Sequence, residues 1–306
     1  MTKSRTVLTL ATGAVVLGLL GSCSATAAGG SQDVASVNLS FQATGLTPES
    51  PSVSAAASAV TTATATTPIP VTDDSGTAVG EITLSDARLS VEEIDLQNES
   101  ETGEDRDVRF ERPRVIDLMD GTVTPAVDTT AIPVGTYVDI EIDLNEVDDH
   151  DTDGTGAQLV QPGDPLYGYS MYLAGTYTPA GGSPVPFSFS SAVDASFELA
   201  PNGVTNGFSV AVDQDNQIIV AFRVAQWFGG IGEEMNALAT AGAITLDGHA
   251  ADNGADETAL LRGLFTAISR SADFGRDTDN DHVLDVDEHD EAAQYDHQDE
   301  LAHGNP

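Results

Sequence analysis

The stretch I-T-L-S-D-A-R-L-S-V-E-E-I-D-L, residues 82–96, decides the fold class. Its apolar residues stand at every second position, as a strand with one buried face requires. They do so in three phases: Ile82 and Leu84, then Ala87, Leu89 and Val91, then Ile94 and Leu96. A one-residue slip moves a strand's apolar set to its other face, so each change of phase predicts a bulge or corner, at Ser85-Asp86 and at Glu92-Glu93. Further along, Val138, Ile140, Ile142 and Leu144 alternate with Asp139, Glu141 and Asp143, one face apolar and the other acidic. Upstream, Val37, Leu39, Phe41 and Ala43 alternate with Asn38, Ser40 and Gln42, which predicts a first strand from Val37.

The same reasoning predicts strands over 108–110, 115–118, 167–177, 185–189, 193–199, 208–212 and 218–224, with Gly, Pro and Asn between them. Residues 97–107, Q-N-E-S-E-T-G-E-D-R-D, are too charged to bury and read as an exposed loop. Residues 48–70, nearly all Ser, Thr, Ala, Val and Pro, are an exposed loop or an edge strand; composition fits both. So many short strands predict a mainly β protein, an antiparallel β-sandwich. The character changes after Trp227-Phe228. A short helix is predicted over 229–239 and a longer one over 256–270, with Leu260, Leu261, Leu264, Phe265 and Ile268 on one stripe and Asp256 as its cap. That helix is expected to pack on the sandwich, to end near Gly275 and to lead into an acidic tail.

Charge narrows the function classes. The chain of 306 residues carries 49 Asp and Glu against 11 Lys and Arg, a net charge of −38, and two of the 11, Lys3 and Arg5, lie at its start. Such a polyanion is repelled by nucleic acid and by anionic headgroups and attracts cations. Acidity without Lys in the body of the chain fits a halophilic or marine setting or simply an exported surface.

The start of the chain reads as an export signal: Lys3 and Arg5, an apolar run of about 14 residues from Val7 to Leu20, then Gly21-Ser22-Cys23. The run is short of the roughly 20 residues a membrane-spanning helix needs. Leu20-Gly21-Ser22-Cys23 resembles the bacterial lipobox, which implies lipidation of Cys23 and a lipid-anchored place in the cell envelope; cleavage after Ala25-Thr26-Ala27 is the alternative. The expected organisation is a leader over 1–22, a tether over 23–35, the sandwich over 36–252 and the helix with its acidic tail over 253–306. Cys23 is the one cysteine, so an internal disulfide framework and a Cys-based metal site are excluded.

Cation chemistry is concentrated in D-T-D-N-D-H-V-L-D-V-D-E, residues 277–288. Asp277, Asp279, Asp281, Asp285 and Glu288 take positions one, three, five, nine and twelve of an EF-hand-type calcium loop, and Val283 offers its carbonyl at position seven. Leu284, at position eight, would anchor the loop in apolar surface. His282 replaces the Gly favoured at the sharp turn, a costlier residue there. Asp149-His150-Asp151-Thr152-Asp153-Gly154 repeats the first half of this pattern, but Gly156 and Val160 fail its second half, so a charged hairpin loop is expected. His282, His289, His297 and His303 lack the spacing that pairs metal ligands on a helix face. Tyr167, Tyr169, Tyr172 and Tyr177 suit cross-strand packing better than a sugar platform. No nucleophile elbow, phosphate loop or H-E-x-x-H motif is present, and no carboxylate pair stands out among 49, so no enzymatic role is expected.

Taken together, residues 82–96, 109–121 (R-F-E-R-P-R-V-I-D-L-M-D-G), 132–144 (I-P-V-G-T-Y-V-D-I-E-I-D-L) and 220–228 (V-A-F-R-V-A-Q-W-F) resemble an uncharacterised family of bacterial secreted lipoproteins, catalogued as a domain of unknown function. The resemblance implies a β-sandwich and an envelope location, and no activity or site residues. The tail separately resembles the aspartate-rich calcium repeats of bacterial surface proteins. The expectation is a lipid-anchored envelope protein of structural or binding role with a calcium-ordered tail. A surface module recognising a glycan or protein is the first alternative, and a hydrolase using clustered carboxylates the second.

Overall fold

The alternating apolar residues of 78–98 make one strand that pairs with five others. The structure, a computed structural model, describes residues 33–44, 67–98, 108–127, 130–193, 195–199, 208–212, 214, 216–249, 260–261, 263–264, 266–268, 270–276 and 284. Its strands are β1 (Val34–Thr44), β2 (Ile69–Thr72), β3 (Ala78–Asn98), β4 (Val108–Arg109), β5 (Arg114–Asp117), β6 (Thr122–Thr124), β7 (Thr130–Pro133), β8 (Gly135–Leu144), β9 (Met171–Pro179), β10 (Val185–Ser191), β11 (Ala195–Leu199), β12 (Phe208–Val210), β13 (Gln217–Arg223), β14 (Ile244–Asp247) and β15 (Ala272–Arg276). Helix α1 is Gly232–Ala239, and residues 260–261, 263–264 and 266–268 are helical.

The three phases of 82–96 belong to one strand, β3, of 21 residues. Its register shifts between Leu84 and Asp86 against β9, and between Val91 and Glu93 against β8. These are the two places where the alternation changes phase. Because each irregularity returns the apolar set to the core face, Ile82, Leu84, Ala87, Leu89, Val91, Ile94 and Leu96 are all buried. A strand this long serves several neighbours, pairing with β2, β4, β5, β8 and β9. The larger sheet runs β11-β8-β3-β9-β10-β14, with β2, β4, β5, β6 and β12 attached.

The second sheet runs β15-β13-β1-β7. Ala35, Val37, Leu39 and Phe41 of β1, Ile218, Val220 and Phe222 of β13, and Phe274 of β15 join the same apolar core as the larger sheet. Phe274 meets Phe208 edge-on at 6.1 Å, and Phe208 stacks on Tyr137 of β8 at 5.4 Å. The protein is mainly β, two sheets sharing one core as the alternation predicts. Two pairings, β1 with β13 and β10 with β14, are parallel; the others between the described strands are antiparallel.

The predicted helical stripe also finds its place, for Leu260, Leu264 and Ile268 are fully buried in that core. Other boundaries differ. The helix does not lead straight into the tail: Ser271 closes it by donating to the Ile268 carbonyl, and β15 follows, antiparallel to β13. A-D-F-G-R has little strand propensity of its own, so β15 exists through pairing with β13. Likewise β6, β7 and β14 are too short to show a period, and the strand expected from Tyr167 starts at Met171. At the turn from β7 into β8 the Tyr137 hydroxyl donates to the Pro133 carbonyl at 2.8 Å, which holds P-V-G-T-Y in shape.

Candidate functional site

Of the residues 277–288, Leu284 is described; Asp277, Asp279, Asp281, Val283, Asp285 and Glu288 lie outside the described residues, as does Cys23. Leu284 is 4% exposed and packs on Ile219 and Ala221, and its N–H donates to the Gln42 side-chain oxygen at 3.2 Å. The apolar anchor expected at position eight therefore has a defined seat on β1 and β13.

A second region is built by residues 145–170, the connection between β8 and β9. A connection this long without helix or regular strand is uncommon inside a domain, and those that are ordered usually carry function. This one has its own apolar cluster, Val147, Val160 and Leu166 with Val115 of β5, flanked by Tyr167, Tyr169 and Tyr172. Its far end is tied down at two points. The Tyr169 hydroxyl donates to Asp247 Oδ1 at 2.8 Å, and His249 Nε2 donates to the Gly168 carbonyl at 2.7 Å. Burial and the bond to Asp247 push the Tyr169 phenol up. Its middle is held by Arg88 of β3, which binds Asp86 through Nε at 2.8 Å and Asp164 through Nη1 at 3.0 Å, with its guanidinium over the Tyr172 ring at 5.7 Å. The four Tyr thus pack rather than form a platform; Tyr177 is in the main core with its hydroxyl on Asn236.

The Asp149–Gly154 motif lies in this excursion and takes the form of a hairpin. Asp153 N donates to the Ala157 carbonyl, and Thr152 bridges Gln158. The carboxylates at the would-be ligand positions turn to local donors: Asp153 Oδ1 accepts from Thr155 N at 2.8 Å and Thr155 Oγ1 at 2.7 Å, and Asp151 Oδ2 accepts from Asp148 N at 2.8 Å. These bonds, the Thr155 hydroxyl first, hold the Asp153 carboxyl below the usual range. The group that does converge is Asp148, Asp149 and His150, all exposed, with His150 Nδ1 at 3.2 Å from Asp148 and 2.9 Å from Asp149. The bond to Asp148 and the charge of Asp149 raise the His150 pKa. The arrangement differs from the alternate-residue set the pattern suggested.

Two recesses stand among the described residues, the first of them beside the excursion. One, of about 220 Å³, lies between Leu159, Val160 and Asp164 on one side and Arg88, Asp117, Asp120, Thr122 and Thr124 on the other. The other, of about 340 Å³, is lined by Arg109, Phe110, Glu111, Arg112, Arg114 and Thr130. Both lie at or below the small end of the roughly 300–1,000 Å³ typical of small-molecule pockets. In the second, Arg109 is paired with Asp95 at 3.0 Å and with Glu93 at 3.5 Å, and Arg114 is buried with Nη1 on the Arg112 carbonyl at 2.7 Å. Nothing in the sequence marked Arg88 as the centre of an ion-paired network, because Asp164 is 76 residues away.

In the first recess burial pushes the Asp117 carboxyl up, opposed by a bond from Met119 N and reinforced by the charges of Asp120 and Asp86. A carboxyl raised in the folded state binds its proton more readily there than in the unfolded chain. Its contribution to stability is therefore most favourable at low pH and is lost as pH rises through the folded value. Asp117→Asn, which keeps the acceptor for Met119 N, should be more stable than wild type at pH 7 by less than about 1 kcal/mol, given the site's partial exposure. The gap should close below pH ~4, where the unfolded Asp also takes its proton. Denaturant unfolding at pH 7 and pH 3.5 measures it; an equal gap at both rules out the electrostatic cause.

The fold and these sites define a mainly β protein with one long ordered excursion and a tail residue seated on the smaller sheet. No family model matches the chain, and no curated protein or solved structure matches it. Among the described residues no helix is long and apolar enough to cross a membrane.

Proposed function

We propose that this chain is a lipid-anchored cell-envelope protein, related to the secreted lipoproteins it resembles, whose role is structural or binding rather than catalytic. Its tail holds calcium through Asp277, Asp279, Asp281, the Val283 carbonyl, Asp285 and Glu288. The observation that carries the calcium reading is the seat of Leu284: the apolar residue at position eight is buried, as a loop fixed to a scaffold needs and a solvated acidic run does not. Charge supports it as well, since six carboxylates within twelve residues repel one another until a cation neutralises them. The anchor rests on Leu20-Gly21-Ser22-Cys23, and export would place the loop where calcium is plentiful enough for a modest site to fill.

Calorimetric titration of the full chain carrying Cys23→Ser, with calcium chloride against sodium chloride of equal ionic strength, tests this. A saturable heat is expected, absent from Asp277→Ala/Glu288→Ala, together with about 2.7 kcal/mol of added stability at one hundred times Kd. Calcium acting no differently from sodium would reduce the loop to an acidic tail. A second reading, recognition of a surface glycan or protein, is favoured by the ordered 145–170 excursion, whose hairpin meets Arg112 at Gly154. Loss of glycan or envelope-protein binding in Arg112→Glu, with an unchanged melt, would assign recognition to that edge; retention would exclude it.

A further inference from the structure

We infer that the recess of about 340 Å³ lined by residues 109–112, Arg114 and Thr130 binds a small hydroxylated carboxylate, with the chemistry of a uronic-acid sugar, and that Arg112 holds its carboxylate. The inference rests on the recognition reading of this edge, for which it names a ligand class, and it is independent of the calcium loop. Three of the nine Arg beyond Arg5 fall within the six residues 109–114, and all three line the recess. In a chain of net charge −38 such a concentration is a local feature, not a reflection of composition. The backbone there is also irregular. β4 and β5 both pair with β3, Arg109 opposite Asp95 and Arg114 opposite Val91, so four residues, 110–113, stand against three of β3. One extra residue makes a bulge, which re-aims side chains relative to a regular strand.

The three Arg differ in what they do. Arg109 is committed to the sheet, on Asp95 at 3.0 Å and Glu93 at 3.5 Å. Arg114 is buried, and its Nη1 donates to the Phe110 and Arg112 carbonyls at 3.3 and 2.7 Å, which fixes the shape of the bulge. Arg112 is exposed, and its guanidinium has no acceptor among the described residues. Its position is nevertheless set. Pro113 restricts the Arg112 backbone to extended conformations. A Cβ built on Gly154 would stand 3.0 Å from Arg112 Cζ and 3.1 and 3.2 Å from its two Nη atoms, distances that place it above the guanidinium plane. Arg112 therefore rests its flat face on the hairpin, and its N–H groups, which lie in the plane, are left for a ligand. A planar fork held this way suits bidentate binding of a carboxylate. Glu111 lines the same recess, where it can accept hydrogen bonds from hydroxyls and would repel a second carboxylate, and Thr130 adds a hydroxyl. The ligand is thus one carboxylate with hydroxyls beside it, and the volume suits a single sugar unit. A polyanion would meet the repulsion of the whole surface.

The test titrates sodium glucuronate, glucose and sodium acetate into the full chain carrying Cys23→Ser, followed by saturation-transfer difference NMR. EDTA is present, so that calcium cannot bridge uronate to the acidic surface, and salt at about 0.15 M screens charges beyond about 8 Å. Glucuronate is expected to saturate with a Kd of about 1 mM, and glucose and acetate to bind at least about ten-fold more weakly. Arg112→Gln should weaken glucuronate about ten-fold and leave glucose unchanged. Arg112→Lys, which keeps the charge and loses the fork, should weaken it about three-fold or more. Arg270→Gln, the same change of charge at a residue that does not line the recess, should bind as wild type does. Glucuronate binding no better than glucose or acetate, or keeping its wild-type Kd in Arg112→Gln, would overturn the inference. Equal losses in Arg112→Gln and Arg270→Gln would overturn it too, as a general effect of charge. The recognition reading is judged separately: if Arg112→Glu loses a neutral glycan or an envelope protein while glucuronate never binds, recognition stands at this edge and the uronate assignment falls.

Discussion

Gly175→Ala is expected to melt roughly 10 °C below wild type or not to fold. Gly175 lies on β9 opposite Leu84 of β3, beside the irregularity between Leu84 and Asp86. A Cβ added there would stand 2.1 Å from the Thr83 carbonyl oxygen and 2.9 Å from Leu84 Cα. Both are backbone atoms of β3, which pairs with five other strands, so no side chain can turn aside. Relief requires β3 and β9 to separate along their pairing, which breaks ladder hydrogen bonds and opens the packing of Leu84 and Leu173 beneath them. Overpacking that moves backbone exceeds the usual 1–3 kcal/mol, and about 3 kcal/mol or more corresponds to the stated shift at ~2–4 °C per kcal/mol. Gly229→Ala is the control: its nearest atom would be 3.5 Å away, and its melt should change little. Thermal melts by circular dichroism compare the two, and a Gly175→Ala protein melting with the control would refute the backbone clash.

Trp227→Ala should cost about 3–5 kcal/mol of unfolding free energy, the range for emptying a core site of this size. Trp227 is the chain's one Trp and is fully buried. Its ring meets Phe222 of β13 edge-on at 6.4 Å, and its Nε1–H donates to Ser271 Oγ, whose own hydroxyl donates to the Ile268 carbonyl. One side chain thus joins the end of β13 to the junction between the C-terminal helical residues and β15. Two variants separate packing from hydrogen bonding. Trp227→Phe keeps a ring and loses the donor, and should cost less than Trp227→Ala. Ser271→Ala keeps the ring but strands a buried N–H, at about 1–3 kcal/mol. Urea unfolding followed by far-ultraviolet circular dichroism gives all three values. Equal losses for Trp227→Phe and Trp227→Ala would mean that the hydrogen bond, not the packing, carries the contribution.

Much of the larger sheet was legible because a strand with one buried face writes its period into the chain. The phase changes of 82–96 placed two of the irregularities in the pairing of β3, while the shift between Gln97 and Asn98 lies beyond that stretch, and the stripe Leu260, Leu264, Ile268 placed the helical face that enters the core. At the tail, spacing alone singled out position eight as an apolar anchor, and Leu284 is buried. Local pattern has no access to partners, however. β15 and β14 are short and their residues indifferent, and they are strands because β13 and β10 offer free edges beside them. At 149–154 the failed second half of the Asp pattern predicted a charged hairpin, and a hairpin forms, with local N–H and hydroxyl donors taking its carboxylates.

What the sequence by itself determined is the class of the fold and the polarity of its faces, since alternation and charge are properties of neighbours along the chain. Only the tertiary structure decided which edges meet. The parallel pairing of β1 with β13, the hold of Arg88 on Asp164 and the seat of Leu284 on Ile219 and Ala221 join residues tens to hundreds of positions apart. The energy of such contacts depends on simultaneous burial of both partners, and no window of sequence contains both.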